Sequence, residues 1–132
     1  AAAAKKFPRQ VFLPSGFDDV LARRIYAGSD IFLMPSQYEP CGLGQMIALK
    51  YGSLPLVHKT GGLADTVNQR NGFVFDSYSA SALERCLRHA LAQYRRKTEW
   101  SRKVAAAMKC LFAWSQSAKE YLAVYEKARG SS

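Results

Sequence analysis

The sequence predicts an α/β fold: a parallel sheet of about four strands with helices on both faces, followed by C-terminal helices. Three observations carry this. Short apolar runs alternate with helical stretches over residues 9–75. The runs at 31–34, 54–57 and 72–75 are nearly continuous in apolar character rather than alternating, as burial on both faces requires. The connections between them are short and marked by Pro and Gly. A length of 132 residues with 48% hydrophobic and 22% charged residues suits one domain with a real core. It excludes disorder as the overall class.

Residues 9–13 (RQVFL) read as a strand closed by the turn Pro14-Ser15-Gly16. Residues 17–28 follow as a helix, with Phe17, Val20, Leu21, Ile25 and Tyr26 on one face. Asp18 and Asp19 suit the positive end of its dipole, and Gly28 suits its stop. A strand at 31–34 ends at Pro35, a helix at 42–51 ends at Gly52, and a third strand spans 54–57. Gly61-Gly62 break the chain before a helical turn at 63–67, and 72–75 is the fourth strand. Three helices are then expected. The first, 79–94, has Ser79 as its cap and Leu83, Leu87, Ala90 and Leu91 inward. The second, 97–112, carries Trp100, Val104, Ala107, Met108 and Leu111, and the third, 115–129, carries Tyr121, Leu122, Val124 and Tyr125. Residues 1–8 read as a tag or linker, 9–129 as the domain and 130–132 as a tail. The plan is half of a doubly wound sheet with helices appended.

The net charge of +9 is concentrated. Between Arg85 and Lys109 lie eight basic residues against Glu99 alone. A solvated outer face of two amphipathic helices accounts for them; attraction to a polyanion or nucleotide substrate is the alternative. The companions of specific nucleic-acid recognition, a helix-turn-helix pattern or a glycine-aromatic motif, are missing. Cys41, Cys86 and Cys110 are an odd count without C-x-x-C spacing, which argues against a disulfide framework or a zinc site and for a reducing compartment. Cys86 and Cys110 fall on apolar helix faces and read as buried thiols. Trp114 and Tyr121 read as packing residues, and His89 as a helix residue without a partner. No apolar run approaches the roughly 18 residues of a membrane span.

Residues 35–45 (PSQYEPCGLGQ) carry the chemistry. They follow a strand and open a helix, at the carboxyl end of the sheet where ligands of open α/β folds bind. Gly42 and Gly44 allow close backbone approach. The free amides of Gly42, Leu43 and Gly44 suit a phosphate. Glu39, just before them, is placed to reach a sugar hydroxyl. An ordinary loop with a helix-capping glycine fits the same spacing. A second loop, His58-Lys59-Thr60-Gly61-Gly62-Leu63, follows the next strand and must lie beside the first. Lys59 suits a phosphate or simply the surface; His58 suits a substrate hydrogen bond or simply the end of a strand.

Residues 30–43 (DIFLMPSQYEPCGL) and 54–67 (LPLVHKTGGLADTV), with the ending 112–121 (FAWSQSAKEY), closely resemble bacterial glycogen synthases and plant or algal starch synthases. The resemblance runs from about Gln10 to Tyr125. It implies a retaining glucosyltransferase of the GT-B fold, with two Rossmann-like domains around a cleft. The implied donor is ADP-glucose, with UDP-glucose as the alternative, and the acceptor is the non-reducing end of an α-1,4-glucan. The family needs no metal or other cofactor. The resemblance also implies site roles. Glu39 contacts the transferred glucose and Cys41 lies against the same sugar, the two catalytic positions. The amides of Gly42, Leu43 and Gly44 hold the distal phosphate. Phe17 stands where the family stacks a tyrosine on adenine, and Thr60, Gly61 and Gly62 form the second loop near the sugar. Ile47 occupies the place where related transferases have a second glutamate, as is common in this branch. Gly44 replaces a frequent threonine or asparagine and keeps only the amide.

The resemblance covers the last part of such an enzyme. The acceptor-side domain and the first two strands of the nucleotide domain, with the arginine and lysine that clamp the diphosphate, have no counterpart here. The 132 residues are therefore expected to be inactive by themselves. In the order 3-2-1-4-5-6, strands 1 and 2 are the missing centre, so the 31–34 strand is expected to present an open apolar edge. Either the 9–13 strand moves beside it, or chains associate as a dimer or higher oligomer or with the missing portion. Nucleotide sugar and glucan are the expected partners, with no specific nucleic acid and no membrane. The expected location is bacterial cytoplasm or plastid stroma. A non-catalytic module that binds nucleotide sugar, glucan or an assembly partner is the alternative function, and a basic module for polyanions a third.

Overall fold

In the computed structural model, which describes residues 2–16, 18–110 and 112–130, the order of elements is α1 (Ala2–Lys6), α2 (Asp19–Gly28), β1 (Ile31–Met34), α3 (Gly44–Tyr51), β2 (Leu54–His58), α4 (Gly61–Thr66), β3 (Phe73–Phe75), α5 (Ala80–Tyr94), α6 (Lys97–Met108) and α7 (Trp114–Arg129). The sheet is parallel in the order β1-β2-β3, with Ile31 opposite Leu54 and Leu56 opposite Phe73. The α/β class and the parallel sheet are as predicted. Phe17, expected in α2 and on adenine, and Leu111, expected on the inner face of α6, lie outside the described residues, as do Ala1, Ser131 and Ser132.

One expected strand does not form. Residues 9–13 are irregular, and the sheet holds three strands among the described residues. A strand exists only by pairing. Here the local backbone donors are met by turns instead: Phe7 N–H reaches Ala3 O, and Gln10 and Val11 N–H both reach Phe7 O. Phe12 stays 78% exposed, so no burial offsets the cost of ordering the segment. Residues 9–13 therefore do not cover β1, which is an edge strand with Leu33 46% exposed.

The core has two parts, one on each face of the sheet. Leu54, Leu56, Phe73 and Phe75 meet Leu49 of α3, Ala82 and Ala90 of α5 and Trp100 and Ala107 of α6. Val57 meets Leu63 and Val67, with Met34 and Val74 alongside. The alternation along β2 sends Leu54 and Leu56 one way and Val57 the other. Helix starts follow their residues. The Asp18 carboxylate accepts from Val20 and Leu21 N–H at 2.9 and 3.0 Å, and Ser79 Oγ accepts from Ala82 N–H at 3.2 Å. Gly52 ends α3 in the left-handed region at φ 81°, where Val104 Cγ1 lies 3.1 Å from the position of an added Cβ. Helix α6 stops four residues early, because Cys110 N–H turns back to Ala107 O in a tighter closing turn.

The last helix corrects another expectation. Trp114 and Tyr121 were expected to pack, but they are 83% and 59% exposed, and α7 buries none of its residues. Its apolar side has no cover among the described residues. Cys86 and Cys110 are half-buried free thiols; Cys110 Sγ lies 3.4 Å from Asn71 Nδ2. His89 has neighbours after all: Gln93 Nε2 at 2.9 Å and the Phe73 ring edge-on at 6.0 Å. Of the eight basic residues between Arg85 and Lys109, seven are exposed. The eighth, Lys103, is half-buried and donates to Gln69 O and Gly72 O. No helix among the described residues is long and apolar enough to cross a membrane.

Candidate functional site

The two glycine loops leave the carboxyl ends of the neighbouring strands β1 and β2, so the parallel register brings them side by side. They touch backbone to backbone. Gly62 N–H donates to Glu39 O at 3.0 Å. A Cβ added at Gly61 would collide with Glu39 O, and one added at Gly62 would lie 2.8 Å from Cys41 Cα. Gly61 and Gly62 are thus held directly against the backbone of Glu39 and Cys41. Gly61 also takes φ +41°, a conformation that suits glycine.

Gly42 turns the first loop into α3 at φ +69°, and Leu43 stands at the N-cap without a side-chain cap bond. The amides at this helix start therefore keep their donors available. Gly44 is packed from behind: an added Cβ would lie 3.1 Å from Phe32 Cζ and 3.2 Å from the Tyr26 hydroxyl. That crowding suits a glycine here. Glu39 is half-buried and Cys41 exposed. Ile47 is 40% exposed.

Two loop residues have partners within the protein. His58 Nδ1 lies 3.1 Å from Ser36 O, and its ring packs between Phe75 and Tyr78. It fastens the β2 end to the first loop. Lys59 Nζ lies 3.4 Å from Asp76, an exposed pair of small energetic weight. Sequence reasoning missed Gln45 and Thr66. Gln45 is fully buried, and its Nε2 lies 2.8 Å from Gly42 O, 3.1 Å from Cys41 O and 3.1 Å from Thr66 Oγ1. Thr66 Oγ1 donates to Gly62 O at 2.7 Å. An amide on the inner face of an apolar helix was the signal available in the sequence. No three His, Cys, Asp or Glu side chains converge among the described residues as a metal site would need.

Two adjacent glycine loops at the carboxyl edge of a parallel sheet, with a carboxylate beside helix-start amides, form an arrangement suited to an anionic group such as a phosphate. The profile of the family described as Glycosyl transferases group 1 matches residues 1–107, and the chain belongs to that family. It is 53% identical over 135 residues to the glycogen synthase of Syntrophotalea carbinolica, covering 97% of this chain and 28% of that protein. With the glycogen synthase of Desulforudis audaxviator it is 54% identical over 129 residues, covering 92% and 26%. The catalytic domain of starch synthase IV from Arabidopsis thaliana, bound to ADP and acarbose, superposes with a TM-score of 0.83 at 35% identity, covering 96% of this chain and 28% of that one. The sucrose-phosphate synthase of Thermosynechococcus elongatus, with a TM-score of 0.69 at 22% identity, shares the fold. The chain is part of a GT-B glycosyltransferase domain and spans about a quarter of the length of the curated relatives it matches.

Proposed function

We propose that this chain is the donor-binding part of a glycogen or starch synthase that moves glucose from ADP-glucose to the non-reducing end of an α-1,4-glucan. The observation that carries the reading is the direct seating of Gly61-Gly62 on Glu39–Cys41 beside the open start of α3. In this arrangement Glu39 and Cys41 face the glucose, and the amides of Gly42, Leu43 and Gly44 hold the distal phosphate. These amides stabilise the charge that collects there as the sugar leaves. Thr60, Gly61 and Gly62 close the sugar side, and Phe17 stacks on adenine. The relatives named glycogen synthase and the starch synthase bound to ADP support this reading. No metal or other cofactor is required by it. The bacterial relatives favour the cytoplasm over the plastid stroma as the location.

Titration calorimetry tests the reading. The chain is expected to bind ADP and ADP-glucose, and to release no glucose to a glucan by itself. Binding only to polyanions, lost in moderate salt, overturns the donor-site reading in favour of the basic patch. Glucose transfer by the 132 residues at the rate of a full-length synthase overturns their inactivity.

The same reading extends to association. Among the described residues one edge of β1 is unpaired, Leu33 is exposed beside it, and α7 offers Trp114, Leu122 and Tyr125 to solvent. Such edges and faces favour pairing with another chain. Light scattering is expected to give a dimer or larger; a clean monomer at high concentration overturns this.

A further inference from the structure

We infer that Gln45, acting through Thr66, is the positioning residue that locks the two glycine loops of the donor site into one unit. The inference rests on the donor-site reading for what the unit does, and on geometry alone for the lock itself. The hydrogen bonds form a closed ring. Gly62 N–H donates to Glu39 O, and Thr66 Oγ1 donates to Gly62 O. With its own hydrogen committed, Thr66 Oγ1 accepts from Gln45 Nε2 at 3.1 Å. The same Nε2 donates to Gly42 O at 2.8 Å and Cys41 O at 3.1 Å. The ring closes through the backbone of residues 39–42. It contains the carboxylate residue, the thiol residue, the turn into α3 and the second glycine loop.

The orientation of the amide is fixed by this ring, because its nitrogen faces three oxygens. Its Oε1 is buried with no partner among the described residues. An unpaired buried carbonyl is a standing cost. An aliphatic side chain would fill the same space without that cost; what it would lack is the donor pair that holds two loops and a helix together. The space itself is shaped for the amide. A Cβ at Gly42 would lie 2.6 Å from Gln45 Oε1, so the bare Gly42 leaves room for the Gln45 head beneath it. Gln45 is thus placed to set the height of the Gly42–Gly44 amides over the sheet and the distance from them to Gly61-Gly62. It does this from behind, without touching the ligand.

The test uses the chain in Gln45→Leu, Thr66→Val and Thr66→Ser forms. Three readouts are taken by NMR and denaturation: ADP affinity from the Gly42–Gly44 amides, exchange of the Gly62 amide, and the unfolding midpoint. Gln45→Leu and Thr66→Val are expected to weaken ADP about tenfold, the low end of what losing an orienting partner costs at a metal site. They are also expected to speed Gly62 exchange well beyond that of the Leu56 and Val57 amides in β2. Thr66→Ser keeps the hydroxyl and is expected to keep both properties. Should Gln45→Leu not fold, Thr66→Val breaks the same ring at a half-buried residue. Unchanged Gly62 exchange, or exchange that rises only in step with β2, overturns the lock. If the unaltered chain binds no ADP, the donor-site reading falls, and the lock is judged on Gly62 exchange alone.

Discussion

Phe73→Ala is expected to cost about 3–5 kcal/mol of folding stability, the range for deleting a large buried ring. That is a large share of the roughly 5–15 kcal/mol that holds a domain together. Phe73 is 1% exposed and stacks on Trp100 at 6.0 Å, which in turn meets Tyr94 edge-on at 5.0 Å. Its ring also carries Lys103 Nζ at 4.4 Å, and that ammonium donates to Gln69 O at 2.6 Å and Gly72 O at 3.1 Å. Removing the ring leaves a cavity between β3 and α6 and strips a half-buried cation of its π face. Urea denaturation should show a lower midpoint at unchanged slope. A loss below about 1 kcal/mol, smaller than any ordinary cavity cost, would mean that the Phe73–Trp100 stack does not form in solution.

The same cluster bears on pH. Burial holds Lys103 below the ordinary lysine value, with the Cys86 thiolate acting in the opposite sense; burial raises Cys86, with Lys103 opposing. The unfolded chain binds the lysine proton more tightly, so this group favours folding as pH rises toward its ordinary 10.5. The folded chain binds the thiol proton more tightly, so Cys86 works against folding as pH rises above its ordinary 9.0. The two effects oppose each other.

What the sequence made legible was whatever depends on near neighbours. Ser79 caps α5 as read, because a cap needs only the next few residues, while Asp18, read as a charge in the first turn of α2, stands one step earlier as its cap. The strands of the sheet follow from continuous apolar runs, and the glycine loops from their place after those runs. Residues 9–13 have the composition of a strand, but pairing is not a local property, and Gln10 and Val11 donate to a turn instead. The α7 periodicity promises a buried stripe, yet burial depends on something being there to cover it, and Trp114 is left in solvent. Gln45 was missed for the same reason. Its role appears only when Thr66 arrives beside it from α4, 21 positions along the chain. The partners of His58 and Lys59, Ser36 and Asp76, come from other loops and were likewise not legible in the sequence.

Gly62→Ala is expected to weaken ADP binding about a hundredfold, the scale on which a misplacement of roughly 1 Å acts at a preorganised site. The added methyl would lie 2.8 Å from Cys41 Cα and 2.9 Å from Cys41 C, both backbone atoms that no rotamer change relieves. One loop must retreat, and the Gly62–Glu39 hydrogen bond lengthens with it. The stability cost of such overpacking is about 1–3 kcal/mol. Gly61→Ala adds a second term, because φ +41° costs a residue with a Cβ about 1–2 kcal/mol more. The comparison separates geometry from strain: both variants displace the loops, but Gly61→Ala alone carries the backbone penalty. Gly28→Ala is the control, since nothing lies within 4 Å of its Cβ position and its backbone is ordinary. It is expected to leave ADP binding unchanged and to raise stability slightly, as Gly to Ala does at a tolerant position. Calorimetry and denaturation on the three variants decide the matter. If Gly62→Ala binds ADP as the parent does, the contact between the two loops is not what shapes the site. If binding falls while Gly62→Ala loses less stability than Gly61→Ala, the close approach of two backbones is the feature that makes these residues a donor site.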